Sequence, residues 1–244
     1  MVFAFAEKVY PRKIKNNTPR MQKSIYSKLT ELPLFLGMSH TDLEQAVGQL
    51  KFGFHKFAAD HVVAKQETPC TNMMLVTDGL LTSSAESIDH GYVLSEELHA
   101  PTLLEPEHLF GLQQRYSRTF TAKEPCHLIT LDKTELTKLM EEHLIVRFNM
   151  LNLISAQSQK LQQQLWQAPA TLLESRIVRF IANRSLRPAG PKTLYIKMQR
   201  LAVELNDSRL NISRALNHMQ ALGLLKLYRE RIEIPAFEQL LKGV

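Results

Sequence analysis

The stretch from Gln199 to Ile234 reads QRLAVELNDSRLNISRALNHMQALGLLKLYRERIEI, and it decides how the last third of the chain folds. Leu201, Ala202 and Leu205 share one side of a short helix over 199–205. Asn206-Asp207 supplies a turn, and Ser208 follows as an N-cap whose hydroxyl can accept a backbone N–H. A second helix is expected from Arg209 to Leu222. At 100° per residue, Ile212, Ala215, Leu216, Met219 and Leu222 gather on one side, and Arg209, Leu210, Ser213, Arg214 and Asn217 on the other. Gly223 ends it. Leu224–Tyr228 and Arg231–Ile234 read as a hairpin with Arg229-Glu230 at its tip. A helix with an apolar back and a front of Arg, Ser and Asn suits the major groove, where arginine matches the two acceptors of guanine and asparagine can pair with adenine. A ribbon tipped by Arg229 suits phosphates. An ordinary helical hairpin with a β-ribbon would explain the apolar faces, but not the agreement of cap, spacing, basic front and wing.

Working back from this block, Arg187-Pro188-Ala189-Gly190-Pro191 is a loop. A helix is expected over 171–183, with Leu172, Leu173, Ile177, Phe180 and Ile181 on one side. Before it, Leu144, Phe148, Leu151, Ile154, Ser158, Leu161 and Leu165 are spaced by threes and fours with no Gly or Pro in residues 132–168. They predict a helix of about 24 residues and about 36 Å, ended by Pro169, with an apolar seam suited to a coiled-coil-like dimer contact. The competing reading packs that seam on the helix's own domain. Further back, Phe52–Phe57, Val62–Lys65, Met73–Thr77, Leu80–Ser83, Tyr92–Leu98, Arg118–Ala122 and His127–Leu131 are short β-branched and aromatic runs. Turns at Asp78-Gly79 and Asp89-His90-Gly91 punctuate them, which predicts a barrel, sandwich or β-roll. Two short helical pieces are expected over Ser27–Leu50, broken at Pro33 and capped at Ser39 or Thr41. Residues 1–25 read as a basic, polar arm.

The formal net charge of +6 hides a partition. Residues 1–28 carry seven Lys and Arg against one acid, residues 29–168 ten against seventeen, and residues 169–244 thirteen against six. A small basic C-terminal domain is the footprint of a polyanion partner. No run of about eighteen apolar residues occurs, so no membrane span is expected. The apolar opening Met1–Ala6 is short and lacks a preceding basic region, so no secretory leader is expected and the chain is placed in the cytoplasm. Cys70 and Cys126 are too few for a disulfide framework. A single bridge between them stays open, a reducing compartment being the simpler reading.

Four segments carry a family resemblance. Leu32-Pro33-Leu34-Phe35-Leu36-Gly37-Met38-Ser39 looks like an opening helix signature, and Met74-Leu75-Val76-Thr77-Asp78-Gly79 like a strand ending in glycine. Phe110-Gly111 followed by Arg118-Thr119-Phe120-Thr121-Ala122 looks like a ligand-binding segment. Ser208-Arg209-Leu210-Asn211-Ile212-Ser213-Arg214 is similar to the recognition-helix motif Ser-Arg-Glu-x-Val-Ser-Arg. Together they resemble the Crp–Fnr family of bacterial regulators, named for the cyclic-AMP receptor protein and the fumarate-nitrate reduction regulator, over about residues 26–240. The resemblance implies an α+β chain: a cyclic-nucleotide-binding-like β-roll of jelly-roll type over 26–132, a dimerisation helix over 133–168, and a winged helix-turn-helix over 169–244. It implies a non-enzymatic, sequence-specific transcription regulator. The residues assigned to DNA are Ser208, Arg209, Leu210, Asn211, Ser213, Arg214, Asn217 and Arg229, and those assigned to an effector are Gly111, Leu112, Arg118 and Thr119. Partners are double-stranded DNA with a pseudo-palindromic site, a second copy of the chain, RNA polymerase and an unnamed small-molecule effector.

Three departures narrow this. Leu112 stands where the family's cyclic-nucleotide binders have the glutamate that holds the ribose hydroxyl, and the loop from Gly111 to Arg118 is short for a phosphate cradle, so cyclic AMP is not expected. The four-cysteine cluster of the oxygen sensors is absent, so an iron–sulfur centre is not expected either. Leu210 replaces the recognition-helix glutamate, which would accept from cytosine N4. A leucine there can meet a thymine methyl, so the half-site should differ at that base pair. None of the nine histidines has a ligand spacing such as His-x-x-x-His, so no metal ligand is assigned. Haem held by one histidine, as in some relatives, stays open, as does an effector-independent regulator with a degenerate pocket. An enzyme with an appended DNA-binding domain finds no nucleophile–base pair, phosphate loop or metal cluster here.

Overall fold

Alternation of apolar residues builds two facing sheets in the N-terminal half. The computed structural model describes residues 26–243, and the basic arm expected over 1–25 lies outside them. The strands are β1 (Gly53–Phe57), β2 (Val62–Ala64), β3 (Asn72–Asp78), β4 (Leu80–Glu86), β5 (Tyr92–His99), β6 (Thr102–Leu104), β7 (Thr119–Ala122) and β8 (Cys126–Asp132). One sheet runs β1-β8-β3-β6. The other contains β5-β4-β7-β2. Met73, Leu75, Leu81, Phe120, Ala122 and Leu131 point between them, each almost wholly buried, so the expected β-roll is present. β6 was not anticipated, because three residues are too short to show a period. Cys70 and Cys126 are free thiols, both buried.

Helices close the roll. A helical turn α1 (residues 26–30) and a 3-10 turn at Pro33–Phe35 precede α2 (His40–Gln49). Ser39 is the cap of α2, its hydroxyl accepting from the Asp42 N–H at 3.1 Å. The span 133–168, expected as one helix, folds as α3 (Lys133–Glu142) and α4 (Leu144–Leu165), with His143 extended between them. No Gly or Pro marks this break. Arg147 holds it instead: its guanidinium donates to the Met140 and Glu141 carbonyls at 2.8 and 3.2 Å, satisfying the end of α3. α4 has 22 residues, about 33 Å, and stops at Leu165, short of Pro169, which lies in the following connection. Val146 and Met150 bury its inner face, and the Asn149 amide donates to the Leu34 and Leu36 carbonyls.

The C-terminal part comprises α5 (Leu173–Ala182), β9 (Lys192–Ile196), α6 (Met198–Glu204), α7 (Arg209–Ala221), β10 (Lys226–Tyr228), β11 (Arg231–Ile234) and α8 (Phe237–Lys242). Its own core gathers Ile177, Ile181, Leu201, Ile212, Leu216 and Phe237. β9 was not anticipated from the sequence and is a strand with two neighbours. It pairs with β11 on one side and, from Tyr92↔Ile196 to Glu96↔Lys192, with β5 on the other. The wing and the roll therefore share one seven-stranded sheet, ordered β10-β11-β9-β5-β4-β7-β2.

Candidate nucleic-acid interface and sensor pocket

The front of α7 is assembled by its cap. Ser208 Oγ accepts from the Asn211 N–H at 3.1 Å. Asp207 braces the turn, accepting from the Ser208 N–H at 2.7 Å, from the Asn211 amide at 2.9 Å and from Arg176 of α5 at 3.0 Å. These donors, with the Asn211 amide foremost, hold the Asp207 carboxyl below its ordinary pKa. At the far end Gly223 takes φ 73°, and the Leu224 N–H reaches the Met219 carbonyl at 3.1 Å, a Schellman closure that favours glycine. Ile212, Ala215, Leu216 and Met219 are buried as expected. Leu222 is not: it lies at the cap, where the helix has ended, and is 56% exposed.

On the opposite side, Arg209, Leu210 and Arg214 are exposed, and Ser213 is half-buried. Neither arginine has an ion-pair partner among the described residues. Two predicted readers are folded back on the protein. The Asn211 amide is held by Asp207, and the Asn217 amide donates to the Ser213 carbonyl at 2.8 Å. The hairpin of β10 and β11 carries exposed Arg229 at its tip, beside Glu230 at φ 58°. Arg209, Leu210, Arg214 and Arg229 are thus exposed, with no polar partner among the described residues.

The expected effector residues do not come together. Gly111, at φ 91°, and Leu112 sit on an exposed loop, and Leu112 is fully in solvent. Thr119 is half-buried, its hydroxyl accepting from the Gln66 N–H at 3.1 Å. Of the four, Arg118 lines a pocket in which the other three take no part. This space, about 410 Å³, lies between the roll, α4 and the turn after α5, and is walled by Glu105, Arg118, Ser158, Lys160, Leu161 and Asn183 among others. Arg118 is 8% exposed. It donates to Glu96 at 3.1 Å and to the Arg184 carbonyl, and its Nε stands 4.0 Å from Glu105. Burial draws the guanidinium pKa down, and the Glu96 and Glu105 carboxylates oppose that. Burial likewise raises the Glu105 carboxyl, which accepts from the Ser117 N–H at 2.8 Å. Lys160 of α4 donates to the Ser185 and Leu186 carbonyls at 2.9 and 3.1 Å, its pKa lowered by burial.

The residues that organise this pocket were not singled out from the sequence. Leu94, Glu96 and Leu98 are in phase on β5, and Lys192, Leu194 and Ile196 on β9. A charge at an inward position of each strand was the available signal. No carboxylate immediately follows Phe110-Gly111, and the Arg118 guanidinium is already bound within the chain. Burial raises the pKa of both cysteines, which disfavours a reactive thiolate. Among the described residues no group of three or more His, Cys, Asp or Glu could hold a metal ion, and no helix is long and apolar enough to cross a membrane.

Residues 54–143 match the family model of the cyclic nucleotide-binding domain. The chain is similar to the solved catabolite activator protein of Thermus thermophilus, with 19% identity, 86% of this chain and 96% of that chain covered, and a TM-score of 0.49. A transcriptional regulator of the crp/fnr family from Eubacterium rectale gives 20% identity over 86% and 96%, with a TM-score of 0.47. FixK2 from Bradyrhizobium japonicum gives 15% over 79% and 97%, with a TM-score of 0.44. No curated protein matches.

Proposed function

We propose that this chain, whose residues 54–143 match the family model of the cyclic nucleotide-binding domain, is a homodimeric transcription regulator of the Crp–Fnr type and no enzyme. The observation that carries the reading is the α7 front: capped, apolar behind, and presenting exposed Arg209, Leu210 and Arg214 without polar partners among the described residues. Arginines near the N-terminus of such a helix reach base edges, and Leu210 meets a thymine methyl. Arg229 on the wing sits over a phosphate.

Dimerisation is supported by α4. Leu144, Phe148 and Leu151 are more than half exposed, on the face turned away from Val146 and Met150. A seam of this period and exposure suits a second copy. That outward face argues against the competing reading, in which the seam packs on its own domain. Two such copies meet half-sites about 34 Å apart. An effector in the pocket between roll and α4 would shift how the two α4 helices cross, and the connection containing Pro169 would pass that shift on, provided the ligand binds one arrangement better. Effector-independent binding is the second reading, favoured by the internal neutralisation of Arg118.

Selection of binding sites from random DNA with the purified full chain tests this. The expected result is a two-fold symmetric site that departs from the family's usual half-site at the Leu210 position, bound by a dimer in sedimentation. Affinity that follows salt and ignores sequence would overturn it.

A further inference from the structure

Glu96 is 2% exposed, yet its two carboxylate oxygens take four donors. Oε1 accepts from Arg118 at 3.1 Å and from the Leu186 N–H at 2.7 Å. Oε2 accepts from Lys192 at 2.8 Å and from the Arg187 N–H at 3.3 Å. A carboxylate offers about four acceptor sites, so this one is saturated. One of the four donors, Arg118, belongs to the roll. The other three belong to β9 and the turn after α5.

The effect on the pocket follows. Two cations on its wall, buried Arg118 and half-buried Lys160, both point at groups of the chain: Glu96 and the Arg184 carbonyl for the first, the Ser185 and Leu186 carbonyls for the second. What the pocket offers a visitor is Gln157, Ser158, Gln164, Asn183 and His108, alongside the carboxylates of Glu105 and Glu107. An anion entering it meets the Glu105 and Glu107 carboxylates, and the Arg118 guanidinium is already paired with Glu96.

We infer that Glu96 is the specificity-determining residue of this pocket: an internal anion that fills the seat beside Arg118, turns the site from anionic effectors to neutral polar ones, and makes the wing domain part of the seat. This rests on the pocket being the effector site. The seat is made of both domains, so an effector that disturbs it disturbs their docking.

The test is equilibrium dialysis of the full chain against inorganic phosphate and against cyclic AMP. Wild-type protein is expected to retain neither. Glu96→Gln is expected to retain phosphate at least about tenfold more tightly, since one charge-assisted contact is worth that much. Adding Arg118→Met should abolish the gain. Where the single variant fails to fold by circular dichroism, the double variant Glu96→Gln/Lys192→Met, which removes one acid and one base together, carries the test. Wild-type protein that binds either anion through Arg118 overturns the inference, as does a folded variant with no gain. The assay contains no DNA, so failure of site selection and failure of this inference are separate results.

Discussion

The front of α7 and the seam between β5 and β9 use the same residue types to opposite ends. Arg209 and Arg214 stand in solvent with no ion-pair partner among the described residues. Arg118, Lys192 and Glu96 are buried and matched to one another. The first set is free for a partner molecule, and the second is consumed in holding two domains together. Charge counts blur this difference. Of the thirteen Lys and Arg in residues 169–244, Arg176, Arg184, Lys192, Arg200 and Arg231 are tied to acids. The surface open to a polyanion is therefore smaller than the composition suggests.

Lys192→Met tests the seam hardest. It leaves the buried Glu96 with one charged partner instead of two, and urea unfolding should register a loss of about 3–5 kcal/mol. A loss within experimental error would mean that solvent reaches the seam. Arg214→Ala tests the other side. Affinity for the selected DNA site should fall by about 1–3 kcal/mol while the urea midpoint stays put. A variant that lost both would erase the distinction between the two regions. Ser208→Ala lies between them: losing the cap should cost about 1 kcal/mol of stability, read in the same urea experiment. Arg229→Ala should lower the slope of log affinity against log salt by about 0.9 for each wing, or about 1.8 for a dimer, and an unchanged slope would remove the wing tip from the phosphates.

Acid sharpens the comparison from another direction. Asp207 has its pKa lowered in the fold, so its contribution to stability is present above the unfolded carboxyl value and disappears as pH falls through the folded one. Thermal midpoints followed downward from about pH 5 should drop, and Asp207→Asn should flatten that drop. A drop of equal steepness in both proteins would detach Asp207 from the acid response.

Legibility divided along the same line. The cap at Ser208, the back of α7 and the tip at Arg229 could be read because each depends on neighbours within a few residues, where period and turn chemistry operate. The strands of the roll other than β6 were readable for the same reason. The break at His143 was not, because Arg147 supplies the carbonyl partners that a Gly or Pro signal would have announced. Glu96 and Lys192 meet from positions 96 residues apart, and only a register fixed by folding brings them opposite each other. The exposure of Leu112 and the retreat of Asn211 and Asn217 onto nearby groups were likewise invisible, since a residue type states what a side chain can bind and not what has already bound it.

The shared sheet has a further consequence. Lifting the wing domain away would bare β5 and β9 together, each with a row of unpaired backbone N–H and C=O groups. Two complementary edges on one chain are also two complementary edges on any pair of chains. In a dimer held by α4, the β9 of one copy could then find the β5 of the other, exchanging the domain rather than merely releasing it. The strand pairing that fixes the resting form thus prescribes the geometry of strand exchange.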